Sequence, residues 1–142
     1  MAPVEKTLFA VLFAQVLLTL ILYLKLAQIR LPIYAKGEVD KKRIRLDPQA
    51  WPEMSQKVSN AVSSQFELPV LFFVAILAAF VLDAVDWVLV GLCGVFVLVR
   101  VLHAFELVGR NHVPTRFGWF FAGFAVVCLI WAWLGAHIFV LR

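Results

Sequence analysis

Charged residues are scarce in this chain. Of its 142 residues, 15% are charged and 63% are hydrophobic. A soluble domain of this size leaves roughly 30% of its unfolded-chain surface in contact with water, so it has no room to hide that much apolar area. The scarcity of charge therefore excludes a soluble globular protein and predicts an integral membrane protein.

Cysteine is also rare, and the two cysteines are poorly placed for chemistry. Cys93 and Cys128 both fall inside apolar segments with no partner at metal-ligand or redox spacing. We therefore interpret both as small buried hydrophobic residues and predict no metal site. Nucleic-acid-binding motifs are absent, so the net charge of +4 does not indicate a nucleic acid partner. Internal repeats and paired broken segments are absent as well, which disfavours a transporter.

Four apolar segments are long enough to cross the ~30 Å hydrocarbon core of a bilayer at about 1.5 Å per helical residue. The first lacks a preceding basic cluster and a small-x-small cleavage motif, so we expect it to be retained rather than removed as a signal peptide. The short connections predict an all-α, up-down-up-down four-helix transmembrane bundle, a single domain over residues 1–142. The predicted spans cover about residues 7–29, 55–82, 87–108 and 116–140.

The three connections between the predicted spans contain residues that are typical of loops, turns and helix ends. Residues 30–53 mix charges, glycine and three prolines and predict a solvated loop with room for a short interfacial helix. Residues 83–86 form a tight turn in which Asp86 is a candidate N-cap for the third helix. Residues 109–115 end that helix with a glycine and a proline.

Basic residues gather at one end of the predicted bundle. The loops 30–54 and 109–116, with the helix ends beside them, contain all but two of the 13 Lys and Arg residues. Lys6 and Arg142 are left at the other end. The positive-inside rule therefore predicts that both loops are cytoplasmic and that both termini lie outside.

Glu67 and Arg100 are charged residues within the predicted spans. Their depths agree within roughly 5 Å at about 1.5 Å per residue, which allows them to pair across spans two and three. A lone charge at depth costs at least ~2.5–3.5 kcal/mol, so charges that persist there usually find partners. Two interpretations stay open, a structural salt bridge and a ligand-binding site.

Further polar residues recur at helical spacing on the faces that carry this pair. Single polar residues often join membrane helices, but a cluster of this size favours a polar cavity near the cytoplasmic end. The cluster consists of Asn60, Ser63, Ser64 and Glu67 on span two, Arg100, His103 and Glu106 on span three, and Arg116 at the start of span four.

Pro69 lies two residues after Glu67. It removes one backbone donor and crowds the carbonyl of Gln65, so we expect an otherwise continuous span two to kink at the carboxylate. The freed carbonyl is then available to a water molecule, a neighbouring side chain or a ligand.

Together these motifs resemble the MAPEG family, the membrane-associated proteins in eicosanoid and glutathione metabolism. Residues 64–72 (SQFELPVLF) resemble the helix-two signature of its bacterial branch, and the similarity covers essentially the whole chain. Further matching segments are residues 28–31 (QIRL), 100–103 (RVLH) and 111–118 (NHVPTRFG).

The resemblance implies a homotrimer in a bacterial inner membrane, with glutathione bound between subunits near the cytoplasmic face. A lipophilic small molecule would reach the site from the membrane lipid. Arg30, Glu67 and His103 match family positions that contact glutathione, and Arg116 matches one proposed to stabilise its thiolate. A guanidinium beside a thiol favours the charged nucleophile. The resulting candidates are Arg116 for catalysis and Arg30, Asn60, Ser64, Glu67, Arg100 and His103 for glutathione binding.

The chain departs from the family pattern at four positions. Asn60 and Ser64 stand where glutathione-using members have arginine and asparagine, and Leu107 and Phe120 replace aromatic hydroxyl groups. Each lost charge-assisted contact removes ~1.5–3 kcal/mol of binding energy. Two hypotheses follow: a glutathione-dependent transferase or peroxidase acting on lipophilic electrophiles or lipid hydroperoxides, and a non-catalytic scaffold that binds a lipid or a partner subunit.

Overall fold

The computed structural model describes residues 1–140. Arg142, one of the two basic residues predicted to lie on the outer side of the membrane, is outside the described residues. Within residues 1–140, four segments are long and apolar enough to cross a membrane. The second of them is built from two helices, α2 and α3. The predicted all-helical four-span membrane bundle is confirmed. Its helices are α1 (Pro3–Lys36), α2 (Glu53–Ser64), α3 (Leu68–Val81), α4 (Trp87–Val108) and α5 (Val113–Phe139).

The core of the bundle lies around α4, which contacts α1, α2 and α5, while α3 packs against α5. Phe72 of α3 stacks on Phe96 of α4 with ring centroids 4.7 Å apart, and both side chains are fully buried. In contrast, α1 buries Leu8, Gln15 and Leu22. Their seven-residue spacing places them on one face of that helix. Most of the α1 surface therefore faces away from its own bundle.

The first helix is longer than the predicted first span. Its 34 residues correspond to about 51 Å at ~1.5 Å per residue, well beyond a hydrocarbon core of ~30 Å. The loop therefore begins at Gly37 rather than at Arg30. Pro32 lies inside α1 without ending it, whereas Gly37 ends it with φ 69°, a left-handed conformation that glycine adopts without steric cost. Two 3-10 turns follow, Arg43–Arg45 and Pro48–Ala50.

Span two is broken, where the sequence predicted a kinked but continuous helix. α2 ends at Ser64 and α3 begins at Leu68. Pro69 occupies the second position of α3, where a proline favours the start of a helix, and it has no N–H to donate to the carbonyl of Gln65 as a continuous helix would require. The Ser64 carbonyl consequently accepts no helical N–H and is available to another donor.

A pair of buried glutamines joins α1 to this break. Gln15 Nε2 donates to Gln65 Oε1 at 2.9 Å, and Gln65 Nε2 donates to the Ala61 carbonyl at 3.0 Å. Such polar contacts between membrane helices contribute about 0.6 kcal/mol on average. Sequence reasoning missed this pair, although an amide in the middle of an apolar span is a signal that could have found it. We infer that Gln15 helps to hold the break in position.

The connector between α4 and α5 is closed by local contacts. A Cβ at Gly109 would lie 2.9 Å from the Phe105 carbonyl, so only glycine fits where α4 ends. Glu106 Oε1 accepts the backbone N–H of His112 at 3.0 Å. The prediction that Glu106 belongs to the polar cavity is therefore wrong, because its carboxylate satisfies a donor at the start of α5.

The two cysteines differ in exposure. Cys93 is buried in α4, as predicted, but Cys128 is exposed on α5, so its interpretation as a buried residue is wrong. The reason is that α5 packs along one face, which buries Val127 and Ile130 and leaves Cys128 outside.

Asp86 is the N-cap of α4, as predicted. Its Oδ1 accepts the Leu89 backbone N–H at 2.7 Å. Trp133 Nε1 of α5 also donates to this carboxylate, at 3.2 Å to Oδ1 and 3.0 Å to Oδ2. One carboxylate therefore joins the turn, the start of α4 and the last turns of α5.

Asp86→Ala is expected to lower the free energy of unfolding by about 2–3 kcal/mol, because it removes an N-cap and a charge-assisted bond together. Thermal unfolding of the detergent-solubilised protein measures the loss. The matched control is Asp83→Asn in the same turn, since Asp83 is exposed with φ 51° and asparagine tolerates that conformation. The control should stay within about 0.5 kcal/mol. Equal losses in both variants would contradict the assignment.

Candidate functional site

An open cavity of about 350 Å³ lies between spans two, three and four, at the end of the bundle where α2 starts and α4 ends. Its volume falls within the ~300–1,000 Å³ typical of small-molecule sites. The polar cavity expected from the recurring faces on spans two and three is therefore present. It is lined by Asn60, Ser63, Ser64, Glu67, His103, Leu107, Arg116, Phe117 and Phe120.

Glu67 lines this cavity with an exposed carboxylate. Of the two open interpretations, the salt bridge between Glu67 and Arg100 is not formed: the ion pairs within residues 1–140 involve other residues, all outside the cavity, and Glu67 attracts the Arg100 charge only at longer range. The physical reason is the break in span two. Glu67 lies between α2 and α3 rather than on a continuous helical face, and its carboxylate is left free to meet a ligand.

Arg100 is fully buried and lies behind the cavity wall. Its Nη2 donates to the freed Ser64 carbonyl at 2.8 Å and to Ser64 Oγ at 2.5 Å. In the described part of the chain, its Nε and Nη1 find no hydrogen-bond partner. α5 passes the Arg100 stem at Gly123, where an added Cβ would lie 3.8 Å from Cδ. Arg100 therefore joins spans two and three through Ser64 rather than through Glu67.

His103 lies one turn after Arg100 and is nearly fully buried in the cavity wall. Its Nδ1 is 3.5 Å from Ser64 Oγ, the same oxygen that contacts Arg100. The centroid of the Phe120 ring lies 6.3 Å from that of the His103 ring. Ser64 is thus the shared neighbour of the buried guanidinium and the imidazole.

Arg116 is half-buried in the first turn of α5 and also lines the cavity. Its Nη1 donates to Asn111 Oδ1 at 2.9 Å. Asn111 has φ 53°, a left-handed conformation that asparagine adopts more readily than most residues. The connector therefore fixes the direction of the Arg116 guanidinium. Sequence reasoning did not assign this role to Asn111, although an asparagine in a turn after glycine is a recognisable signal.

Arg30 lies outside the cavity. Its Nε donates to Ser55 Oγ at 2.8 Å, and its guanidinium lies 4.6 Å above the ring of Trp51. Of the seven candidate residues, Arg30 is separate from the cavity and Arg100 lies behind it. The structure brings the other five together in the cavity wall: Asn60, Ser64, Glu67, His103 and Arg116.

The cavity has a polar side and an apolar side. Glu67 and Arg116 provide opposite charges, whereas Leu107, Phe117 and Phe120 provide hydrocarbon. Phe117 was not among the candidate residues. A ligand at this place meets charge and apolar surface together, which suits a small zwitterion beside a lipophilic group.

A family model described as the MAPEG family matches residues 8–136 of the chain. The match includes every residue that lines the cavity. No curated protein and no solved structure matches the chain.

Proposed function

The chain belongs to the MAPEG family, and on that premise we propose that it is a glutathione-dependent transferase or peroxidase acting on lipophilic substrates. The observation that carries the proposal is the cavity in which a free carboxylate, an imidazole and a positioned guanidinium occur together. These belong to Glu67, His103 and Arg116. Residues of these types, held in a partly apolar wall, match the groups of a small peptide thiol.

Each charged group has a role in binding such a thiol. The Glu67 carboxylate accepts hydrogen bonds from the ammonium group of glutathione, because no cation in residues 1–140 pairs with it. The Arg116 guanidinium stabilises the thiolate, which is the nucleophilic form of the thiol. Asn60 adds a neutral hydrogen-bonding group at the cavity wall, and Ser64 lies beside it in contact with Arg100 and His103.

The transferase step is a nucleophilic displacement or addition. The thiol first releases its proton to water, and the sulfur then donates an electron pair to an electrophilic carbon. In a displacement, that carbon's leaving group departs with its bonding electrons, and a thioether is formed. Arg116 stabilises negative charge on the sulfur before the attack, while Leu107, Phe117 and Phe120 hold the apolar part of the acceptor.

The family resemblance further supports a homotrimer that lies in a bacterial inner membrane with loops 30–54 and 109–116 in the cytoplasm. Within one subunit Arg30 is separate from the cavity, so it would contribute only across a subunit boundary. We propose that Arg30 of the partner subunit reaches glutathione in the trimer. The largely outward-facing apolar surface of α1 supports contact with lipid or a second copy.

Glutathione binding provides the direct test. At a concentration ten times the Kd, glutathione should stabilise the detergent-solubilised protein by about 1.4 kcal/mol. For a chain of this size, this raises Tm by roughly 3–6 °C. S-methylglutathione separates binding of the peptide from binding of the thiolate, and 1-chloro-2,4-dinitrobenzene tests turnover. Absence of both stabilisation and turnover at millimolar thiol would end the proposal.

A second candidate is a non-catalytic scaffold that binds a lipid. It is favoured by Leu107 and Phe120, which line the cavity where glutathione-using members have hydroxyl groups. In that case, lipid and not thiol should be recovered with the purified protein, and Arg116→Ala should leave the amount of recovered lipid unchanged.

A further inference from the structure

We propose that Ser64 is a positioning residue that fixes the tautomer of His103 and directs the Nε2–H of that imidazole into the cavity. The inference concerns hydrogen-bond roles inside the protein. It rests on the proposed function only for the identity of the ligand that meets Nε2.

The argument begins at the Ser64 hydroxyl. An arginine side chain only donates hydrogen bonds, so the contact of 2.5 Å between Arg100 Nη2 and Ser64 Oγ makes the hydroxyl oxygen an acceptor. The single hydroxyl hydrogen must then point to another group. A serine in a helix often donates to the carbonyl four residues earlier, but here Ser64 Oγ makes no such bond to Asn60.

The acceptor in reach is His103 Nδ1, 3.5 Å from Ser64 Oγ. Within residues 1–140, the hydroxyl contacts no other acceptor. At 3.5 Å the contact is at the long end of hydrogen-bond distances. Arg100 thus polarises Ser64, and Ser64 donates to the imidazole.

The tautomer of His103 follows from these two hydrogen bonds, from Arg100 to Ser64 and from Ser64 to His103. A neutral imidazole whose Nδ1 accepts a hydrogen bond carries its hydrogen on Nε2. His103 lines the cavity, and no group of the described chain forms a hydrogen bond with its Nε2. The imidazole therefore presents a donor to whatever the cavity binds.

This donor selects the orientation of a ligand. Nε2–H binds an acceptor such as a thiolate, a carbonyl or a carboxylate oxygen, and it repels an ammonium group. The ammonium is left to the Glu67 carboxylate, on another part of the same wall. Ser64 therefore contributes to specificity through His103 without touching the reacting atoms.

The test is 15N spectroscopy of histidine-labelled full-length protein in lipid nanodiscs without thiol. The chain has three histidines, so the His103 signals are those missing from His103→Gln. The wild type should show a neutral ring with hydrogen on Nε2 and an accepting Nδ1. Ser64→Ala should convert this to mixed tautomers, and Ser64→Thr should restore the wild-type spectrum.

Ser63→Ala is the matched control, because Ser63 lines the same cavity and makes no side-chain hydrogen bond within the described chain. Its His103 spectrum should equal that of the wild type. Hydrogen on Nδ1, a charged imidazolium, or a spectrum unchanged in Ser64→Ala would each overturn the proposal. If Ser64→Ala fails to fold, the wild-type and Ser64→Thr spectra still decide it.

Titration with glutathione separates this inference from the proposed function. If glutathione binds, Ser64→Ala should weaken it about 3–10-fold and Ser64→Thr should not, consistent with the loss of one neutral hydrogen bond. If glutathione fails to bind the wild type, the proposed function fails. The tautomer of His103 in the protein without thiol then still supports or overturns the role of Ser64.

Discussion

Arg116→Ala is expected to lower the rate of thiol-dependent turnover by about 10²–10³-fold, the usual cost of removing one preorganised group that stabilises developing or resident negative charge. The guanidinium is held by Asn111 at 2.9 Å and lines the cavity, so its loss removes charge where the thiolate lies. Steady-state rates with glutathione and 1-chloro-2,4-dinitrobenzene measure the effect. Because Arg116 is only half-buried, Tm should change little.

Arg110→Ala is the matched control for this prediction. It removes the same charge from the same connector, but Arg110 is exposed and does not line the cavity. Turnover should remain within about two-fold of the wild type if only charge near the thiolate matters. Equal losses in the two variants would show that the net charge of the connector, and not the position of Arg116, supports activity.

Glu67→Gln is expected to weaken glutathione binding by about 10–100-fold while leaving the protein without ligand as stable as the wild type. The binding loss follows from removing a charge-assisted hydrogen bond of ~1.5–3 kcal/mol. The unchanged stability follows from the exposed, unpaired carboxylate in the described structure. Isothermal titration and thermal unfolding measure the two quantities separately.

Glu53→Gln provides the control, since Glu53 is an exposed carboxylate on the same span that pairs with Lys57 at 2.9 Å, away from the cavity. It should not change glutathione binding.

A double-mutant cycle that combines Glu67→Gln with Arg100→Met tests whether these two residues form an ion pair. A coupling of less than about 1 kcal/mol is expected, because Arg100 hydrogen-bonds Ser64 and attracts the Glu67 charge only at a distance longer than that of an ion pair. A coupling of several kcal/mol would show that a buried ion pair exists after all.

The break in span two decides both the architecture and the site. It frees the Ser64 carbonyl for Arg100 and leaves the Glu67 carboxylate at the cavity. Gln15 and Gln65 hold the same segment from the side of α1. A local departure from helical structure therefore separates a structural arginine from a carboxylate available to a ligand.

Much of the fold could be predicted because the relevant signals are local. Apolar length and the rarity of charge predict four spans, and an aspartate before Trp87 predicts the cap that Asp86 provides. Helical periodicity also placed Asn60 and Ser64 on one face of α2, and that face lines the cavity. These features depend on residues within a few turns of each other.

The pairing of buried polar groups could not be predicted in the same way. Equal depth made Glu67 and Arg100 reasonable partners, but depth does not fix rotation about the helix axis. Pro69 predicted where span two is distorted but not by how much. The structure has a complete break there, so Glu67 does not lie on the face that it would occupy in a continuous helix. Likewise, Glu106 was within reach of the cavity by spacing, yet it satisfies the N–H of His112.

The sequence by itself determined the membrane class, the number of spans, the capped turn at Asp86 and the set of residues from which a site could be made. Those properties follow from hydrophobicity, helical period and local capping. Only the tertiary structure decided that Arg100 binds Ser64 and that Glu67 forms no ion pair within residues 1–140. These contacts depend on which donor and acceptor come within hydrogen-bond distance when the helices pack. The spacing of residues along one helix does not give their distances to residues of another helix.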